Sequence, residues 1–582
     1  MASTTALYTG LTGLSVNSRR LEVIGNNIAN ANTTAFKSSR LMFETQLSRV
    51  LNGGSAPGTS TGGTNPMQLG LGVGLASTMR DMNGGSITPT GDPRDLAIDG
   101  GGFFVVNRNG NQFYTRAGSF RQDFGNNLVT VDGDRVQGYG VDANFNIVTG
   151  QLVDINLPLG TMKLAQATQN VRFSGNLNAS GDPATQGAHI QISGGDGMGL
   201  TLLASAPPPG PGNVLELGSL LTDIADPLAT TSPLFALGQS IEVRGAERGD
   251  RTVPPSSYTI TAASTMQDLA TFLAQALGIN TSTGPNPDGA TPGVVLDPVT
   301  GTLEITGNTG TASDLDLDSA DIRLLDAAGQ FIRSPVVAGK DASATGESTR
   351  TTFVVFDSLG TPMTVDLTMV LEGKSSGGTA WRYFVDSEAD TDLSPNVGTG
   401  VLNFDTSGVL QSTIPVPITI DRANTGALTP LSINLNFAAG TDTLTALASD
   451  DSTIASTFQD GSPLGVLNGF GVGADGMIVG IFSNGLTRTL GQVALASFAN
   501  PEGLVETSSN LFQVGNNSGP ALVGAPGSFS AGLVIGGALE ASNVDLGQEF
   551  INMILTSTGY SASSRIIRTT DELLQQLMVL GR

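Results

Sequence analysis

The chain has 582 residues, 51 acidic side chains against 27 basic ones and a formal net charge of −24, enough length for several domains. That balance leaves no basic stripe to neutralise phosphates and argues against nucleic acid as a partner. With no cysteine and a single histidine, His189, disulfides, thiolate metal sites, thiol catalysis, His-based triads and two-histidine metal sites are excluded.

Charged residues are 13%, aromatics 5%, and glycines number 77. This composition predicts turn-rich β domains more than helical ones. Residues 2–16 lack a basic leader and an apolar run, so neither a cleavable signal nor membrane insertion is expected. Leu7, Leu14, Leu21 and Ile28 recur every seven residues with Leu11 in the intervening register, predicting a helix from Thr5 to Ile28. Residues 38–51, with Leu41, Phe43, Leu47, Val50 and Leu51, read as a short amphipathic piece. Asn52–Asn65 is Gly, Ser, Thr and Pro almost throughout; residues 31–75 are expected to act as a connector that orders only against neighbours.

From 76 to 160 the pattern is β. Phe103–Val106 and Gln112–Arg116 flank an Asn-Gly turn signal, and Val129–Val131 and Arg135–Gln137 flank Asp132-Gly133-Asp134. The partner of this region is expected at 463–542, where Met477–Phe482 and Gly491–Ala496 read as strands. Residues 161–200 and 341–462 read as a second, discontinuous β domain. Thr351–Asp357 and Thr364–Glu372 are its clearest strands; Trp381–Val385 and Ile414–Ile420 add two more, with Pro415 and Pro417 marking an edge. Residues 201–340 form an inserted α+β unit entered through Pro207–Gly212. Its helix is capped by Ser264, with Gln267 three residues on, and runs through Leu269, Phe272, Leu273 and Leu277 to Gly278.

The last 40 residues change character. Leu546, Phe550, Met553, Tyr560, Ile567, Leu574 and Leu577 fall at steps of four, three and seven, one stripe of a long helix. Ser542 or Asn543 is expected to cap it, with Asp545 in the first turn and Gly581 past its end. The fold class is therefore mainly β and multidomain, with nested domains and long terminal helices. Those helices either meet in a coiled coil or bundle or serve as core helices of one domain.

Patterns suggestive of chemistry are few. Gly471–Gly476 matches a dinucleotide-loop string, but β-like residues follow where a helix is required. Asp314, Asp316 and Asp318 alternate without the rest of a calcium loop, and Asp92, Asp95 and Asp99 read as turn residues. No catalytic, metal or cofactor site is expected.

Asn27-Ile28-Ala29-Asn30, with Thr33, Phe36 and Lys37, resembles the N-terminal signature of bacterial flagellar rod and hook proteins. Ala35 stands where that family usually has glycine. Ser542-Asn543-Val544-Asp545, followed by the long helix, resembles the C-terminal signature, and Tyr114–Phe120 and Asp132–Tyr139 are similar to the same axial-protein family. The resemblance implies a structural, non-enzymatic subunit that polymerises helically through its terminal helices. The roughly 300-residue middle favours the hook, a curved tube outside the cell, over the distal rod, whose subunits are shorter; an exported adhesin would leave both signatures unexplained. Implied partners are further copies of the chain, the distal rod, hook cap and hook–filament junction proteins, and the type III flagellar export apparatus, with export that cleaves no signal.

Overall fold

The computed structural model describes residues 2–204, 214–392, 394–411, 415–440 and 442–580. The expected entry segment Pro207–Gly212, Ile414 and Gly581 lie outside them. Among the described residues there are three α-helices, α1 (Ala2–Ala29), α2 (Met266–Ala276) and α3 (Leu546–Leu580), and the rest of the regular structure is almost all β-strand. The chain divides into two compact units, Met1–Lys163 with Val466–Arg582, and Leu164–Gly465.

The first unit is built from both ends of the sequence. Phe103–Arg108 and Asn111–Thr115 pair as a hairpin across Asn109 and Gly110, both at positive φ (54° and 84°), as a two-residue primed turn requires. Strands from the far end complete the sheet: Leu495–Ser497 lies against Phe103 and Phe104, and Leu511–Gln513 against Thr115 and Tyr114. Arg135–Tyr139 pairs with the first hairpin through Val136 and with Thr487–Val493 through Gly138. Phe103 to Val106 are buried on both faces of the sheet. Phe104 meets Phe120 edge-on at 5.1 Å on one side, while Phe103 meets Phe498 and Phe512 on the other. Gly471–Gly476 closes a hairpin between Ser462–Val472 and Met477–Phe482, so it opens no helix.

Residues 38–51 are extended. Strands β1 (Ser39–Thr45), β2 (Ser48–Asn52), β3 (Met67–Gly70) and β4 (Val73–Arg80) form a two-stranded antiparallel ribbon, β1 on β4 and β2 on β3. The helical spacing Phe43–Leu47–Val50 is outweighed by the alternation of Leu41 and Phe43 and by pairing with β4 and β3. Even the Gly/Ser/Thr tip is bridged, Ser55 to Thr64.

The second unit holds two large apolar cores. One lies between the antiparallel sheet of Ser348–Phe356, Pro362–Ser375, Gly378–Asp386 and Asn396–Phe404 and a second sheet centred on Asn170–Asn178, with Trp381 and Phe173 fully buried. Val416–Ile420 is the edge strand of that second sheet, which is where Pro417 is tolerated. The other core, spanning 188–344, packs α2 against Gly187–Gly194, Thr302–Thr309 and their neighbours.

Two helix starts differ from the expected ones. The cap of α2 is Thr265: its hydroxyl accepts from the Asp268 amide while Asp268 accepts from the Thr265 amide. Ser264 is occupied one residue earlier with Tyr258 and the Thr261 amide, because its buried side chain points back into the preceding turn. α3 is capped by Asp545, which accepts from the Gln548 amide at 3.1 Å, since Asn543 is engaged elsewhere. Thr265→Ala is expected to cost about 1 kcal/mol, raising hydrogen exchange of the α2 amides roughly fivefold.

Candidate assembly surface

The terminal helices run antiparallel, side by side, and small residues set their spacing. A methyl added to Gly10 would stand 2.9 Å from the Ile567 side chain, and one on Gly13 would stand 2.9 Å from the Ser563 hydroxyl. Facing α1, helix α3 presents Thr556 and Thr570, both buried, with Gly559 and Ser563. The hydroxyls of Thr556, Ser563 and Thr570 return to carbonyls of their own helix at 2.6, 2.9 and 2.7 Å, which satisfies them without water.

Apart from Ile567 and one methyl of Ile566, which touch α1 at Gly10, the large apolar side chains of α3 are turned largely to solvent. Phe550, Ile551, Ile554, Leu555, Ile566 and Leu573 are 46 to 64% exposed. The predicted stripe is thus divided. Met553, Ile567 and Leu574 are half-buried; Leu546, Phe550 and Tyr560 are exposed. The Leu577 side chain lies outside the described residues. On α1, Leu7, Leu14, Leu21 and Ile28 are half-buried and Leu11 is exposed, whereas Val16 and Ile24 are buried. A strict seven-residue repeat misses these two because, at 3.6 residues per turn, neither lies on the line of the heptad leucines, and Val16 stands on roughly the opposite side of the helix from Leu14. Four residues to either side of Val16, Thr12 accepts from the Val73 amide and Arg20 lies over the Phe43 ring, so a second face of α1 meets the ribbon. The ribbon itself exposes Phe43, Leu47, Val50, Leu51, Met67 and Leu69, far more apolar surface than a lone two-stranded ribbon retains comfortably in water.

The two terminal signatures, more than 500 residues apart, are joined by hydrogen bonds. Asn27 donates to the Ser39 carbonyl and to Glu549 of α3, and accepts from the Ser39 amide. Asn543 accepts from the Ser38 amide at 2.7 Å and donates to the carbonyls of Asp81 and Asn83, while its own amide reaches the Phe36 carbonyl. Asn30 and Thr33 bond each other in the turn that ends α1. Ala35 adopts φ 55°, the left-handed conformation that glycine takes without cost, and its amide donates to the Glu540 carbonyl at 2.8 Å. Ser542 accepts from the Val544 amide.

Beneath these contacts lies a buried charge cluster that no local pattern announces. Glu540 receives Lys37 Nζ at 2.5 Å, Arg116 Nη1 at 3.3 Å and the Gly85 amide at 2.9 Å; the three charged side chains are 1 to 4% exposed. Burial pulls both Lys37 and Arg116 below their ordinary values against the raising pull of Glu540. Lys37 also donates to the Asn83 carbonyl, and Arg116 to those of Ile98 and Gly100.

The other singled-out residues are separately employed. Asp314 holds Lys340 and the Ala344 amide, Asp316 is exposed, and Asp318 gives its amide to Asp321. Asp92 pairs with Arg94, which lowers its carboxyl to about 2, Asp95 accepts from Thr90, and His189 pairs with Asp288 at 2.9 Å. No group of three metal-ligating side chains converges among the described residues.

Family models match at both ends and in the middle: "Flagella basal body rod protein" over 7–37, "Flagellar hook protein FlgE/F/G D1 domain" over 97–176, "Flagellar basal body protein FlaE D2 domain" over 325–462 and "Flagellar basal body rod FlgEFG protein C-terminal" over 535–580. The chain is 28% identical to the flagellar hook protein FlgE of Borreliella burgdorferi over 585 residues and 28% to that of Treponema pallidum over 588, each covering 99% of both chains. It belongs to the flagellar hook protein family. The Escherichia coli hook protein is 25% identical across 99% of this chain and all of its own. A crystal structure of Helicobacter pylori hook protein FlgE2 overlays 77% of this chain at 18% identity and a TM-score of 0.37. Three of the four family segments carry a member of the Glu540 cluster: Lys37, Arg116 and Glu540 itself.

Removing the shared anion should therefore do more harm than removing one cation. Glu540→Gln leaves two buried cations unpaired and is expected to cost about 3–5 kcal/mol, whereas Lys37→Met leaves the Arg116–Glu540 pair intact and should cost clearly less. Urea unfolding of the two variants, followed by near-ultraviolet circular dichroism, checks the order.

Proposed function

We infer that this chain is a structural subunit of the bacterial flagellar hook, assembling with copies of itself into a helical tube of the extracellular flagellum. The observation that carries the reading is the sidedness of α3, mostly small and hydroxylated towards α1, with six large apolar side chains about half-exposed to solvent. Fully burying a Leu, Ile or Phe is worth about 1.5–3 kcal/mol, so covering six half-exposed ones yields on the order of 6 kcal/mol. Association costs on the order of 4–15 kcal/mol in lost freedom. One neighbour therefore holds a subunit poorly and several hold it well, which is the arithmetic of cooperative polymerisation.

At about 1.5 Å per residue, α1 and α3 are about 42 and 52 Å long, long enough to form a continuous helical layer when copies stack. In this reading Leu7, Leu11, Leu14, Leu21, Ile28, Leu546, Phe550, Met553, Tyr560, Ile567, Leu574 and Leu577 supply a bundle of helices from several subunits. Residues 1–30 and 543–582 form the inner helical domain, 31–75 the connector, 76–160 with 463–542 an inner β domain, 161–200 with 341–462 an outer one, and 201–340 its insertion. Much of the apolar surface of α3 stays uncovered in one chain, so the terminal helices gain stability on assembly, and the chain passes the type III export apparatus unfolded without losing a signal peptide. The distal rod, hook cap and hook–filament junction proteins are its heterologous neighbours. The role is mechanical, with no chemical step. No described helix is long and apolar enough to cross a membrane.

Electron microscopy of polymer grown from the full chain tests this, with curved tubes expected; straight, stiff rods would reassign the subunit to the distal rod. A version lacking residues 1–30 and 543–582 should remain monomeric, and ordered fibres from it would refute the reading. Ile554→Asp or Tyr560→Asp should give a folded chain that forms no tube, read by sedimentation alongside the unmodified chain.

A further inference from the structure

Within the Leu164–Gly465 unit, the core of 188–344 and the Trp381 core do not merge. The apolar link between the blocks is slight: Ala184 with Val370 and Phe384, and Val370 against Gly310, where an added methyl would stand 2.5 Å away. Two neutral hydrogen bonds cross as well, from Thr311 and the Ala312 amide to the Ser348 hydroxyl, and charge does the rest. From the 188–344 block, Arg248 reaches Asp386 at 2.5 Å, both side chains 12% exposed, and Arg251 reaches Asp366 and Glu388. From the other block, Arg350 donates to the carbonyls of Arg248 and Ala312. A cleft of about 270 Å³ opens along these pairs, and a second of about 720 Å³ runs between α2 and residues 394–399. One carboxylate oxygen of Asp386 is buried with no partner, so Arg248 alone holds that side chain.

We propose that this seam is a hinge latched by charge, on which the 188–344 block swings relative to the block around Trp381. A seam closed by apolar packing resists opening in proportion to the area exposed. Here, opening exposes little apolar surface and wets ion pairs that already border clefts, so the closed state is held chiefly by attraction that salt weakens. Two strand-to-strand crossings, 179–187 and 342–348, tether the blocks and are themselves cross-tied by Thr185 and Thr345 at 2.7 Å, which confines the motion to a swing about that tie. The proposal concerns the free chain and stands whether or not it polymerises.

Because the chain has no cysteine, spin labels can be placed at will. Val299→Cys and Leu428→Cys label the two blocks at positions 92% and 73% exposed, and Leu237→Cys with Val299→Cys labels the 188–344 block alone. Pulsed electron resonance on the full-length monomer is expected to give one narrow distance at about 0.05 M salt. At about 1 M, where the screening length falls to roughly 3 Å, the cross-block distribution should at least double in width. Arg248→Ala with Arg251→Ala should show that width already at low salt, and the single Arg251→Gln an intermediate one. A cross-block distribution unchanged by salt overturns the hinge. So does equal broadening of the within-block pair, which would mean that the block melts instead of swinging.

Discussion

A single carboxylate decides where both ends of this chain go. Glu540 accepts from Lys37, eight residues after α1, and stands six residues before α3, while Arg116 ties it to the hairpin at the centre of the sheet. A buried cation without this anion would be strongly unfavourable, so slipping either terminal segment by one residue is penalised far more than any loss along the helix seam. The four hydrogen bonds of the Asn543 amide and side chain, to Ser38, Asp81, Asn83 and Phe36, then fix orientation. Register is set at the base of the helix pair by polar contacts, which frees the pair itself from having to specify it.

That freedom shows in what the seam contains. Thr556, Gly559, Ser563 and Thr570 bring two helices close but remove little hydrocarbon from water, and helices gain most of their stability from an apolar face. The faces with hydrocarbon to bury, Ile551, Ile554 and Leu555 on α3 and Val50, Leu51 and Leu69 on the ribbon, find no cover within the described residues of one chain. A subunit that satisfied these faces internally would be a better monomer and a poorer building block.

What the sequence made legible follows from range. The Asn109-Gly110 turn, the strands at Thr364–Glu372 and Met477–Phe482, and both terminal helices are specified by neighbours within a few positions, and they were readable. The caps missed by one to three residues: Ser264, Ser542 and Asn543 are all competent caps, but Ser264 and Ser542 are taken by near neighbours and Asn543 by distant segments, which leaves Thr265 and Asp545 to do the work. The strands of residues 38–51 were obscured because Phe43, Leu47 and Val50 match a helix by spacing, while the strand partner that overrules it begins at Met67. The sidedness of α3 was unreadable in principle, since apolar residues occur around most of its circumference and only the position of α1 separates inner from outer. The Glu540 cluster was out of reach for the same reason, its members lying 79 and 424 residues apart.

The two charge clusters of the molecule answer opposite demands. Around Glu540 the ions are dry, the anion is shared, and carbonyls accept from Lys37 and from both terminal nitrogens of Arg116; desolvation makes such an arrangement intolerant of any displacement, since parting the ions strands a charge in a medium that cannot solvate it. Between the two cores of the Leu164–Gly465 unit the ions border open clefts, and water stands ready to replace each partner as it leaves. The same residue types thus give rigidity where the chain ends must keep register and compliance where two blocks must move. Burial decides which, because it sets the energy of the separated state.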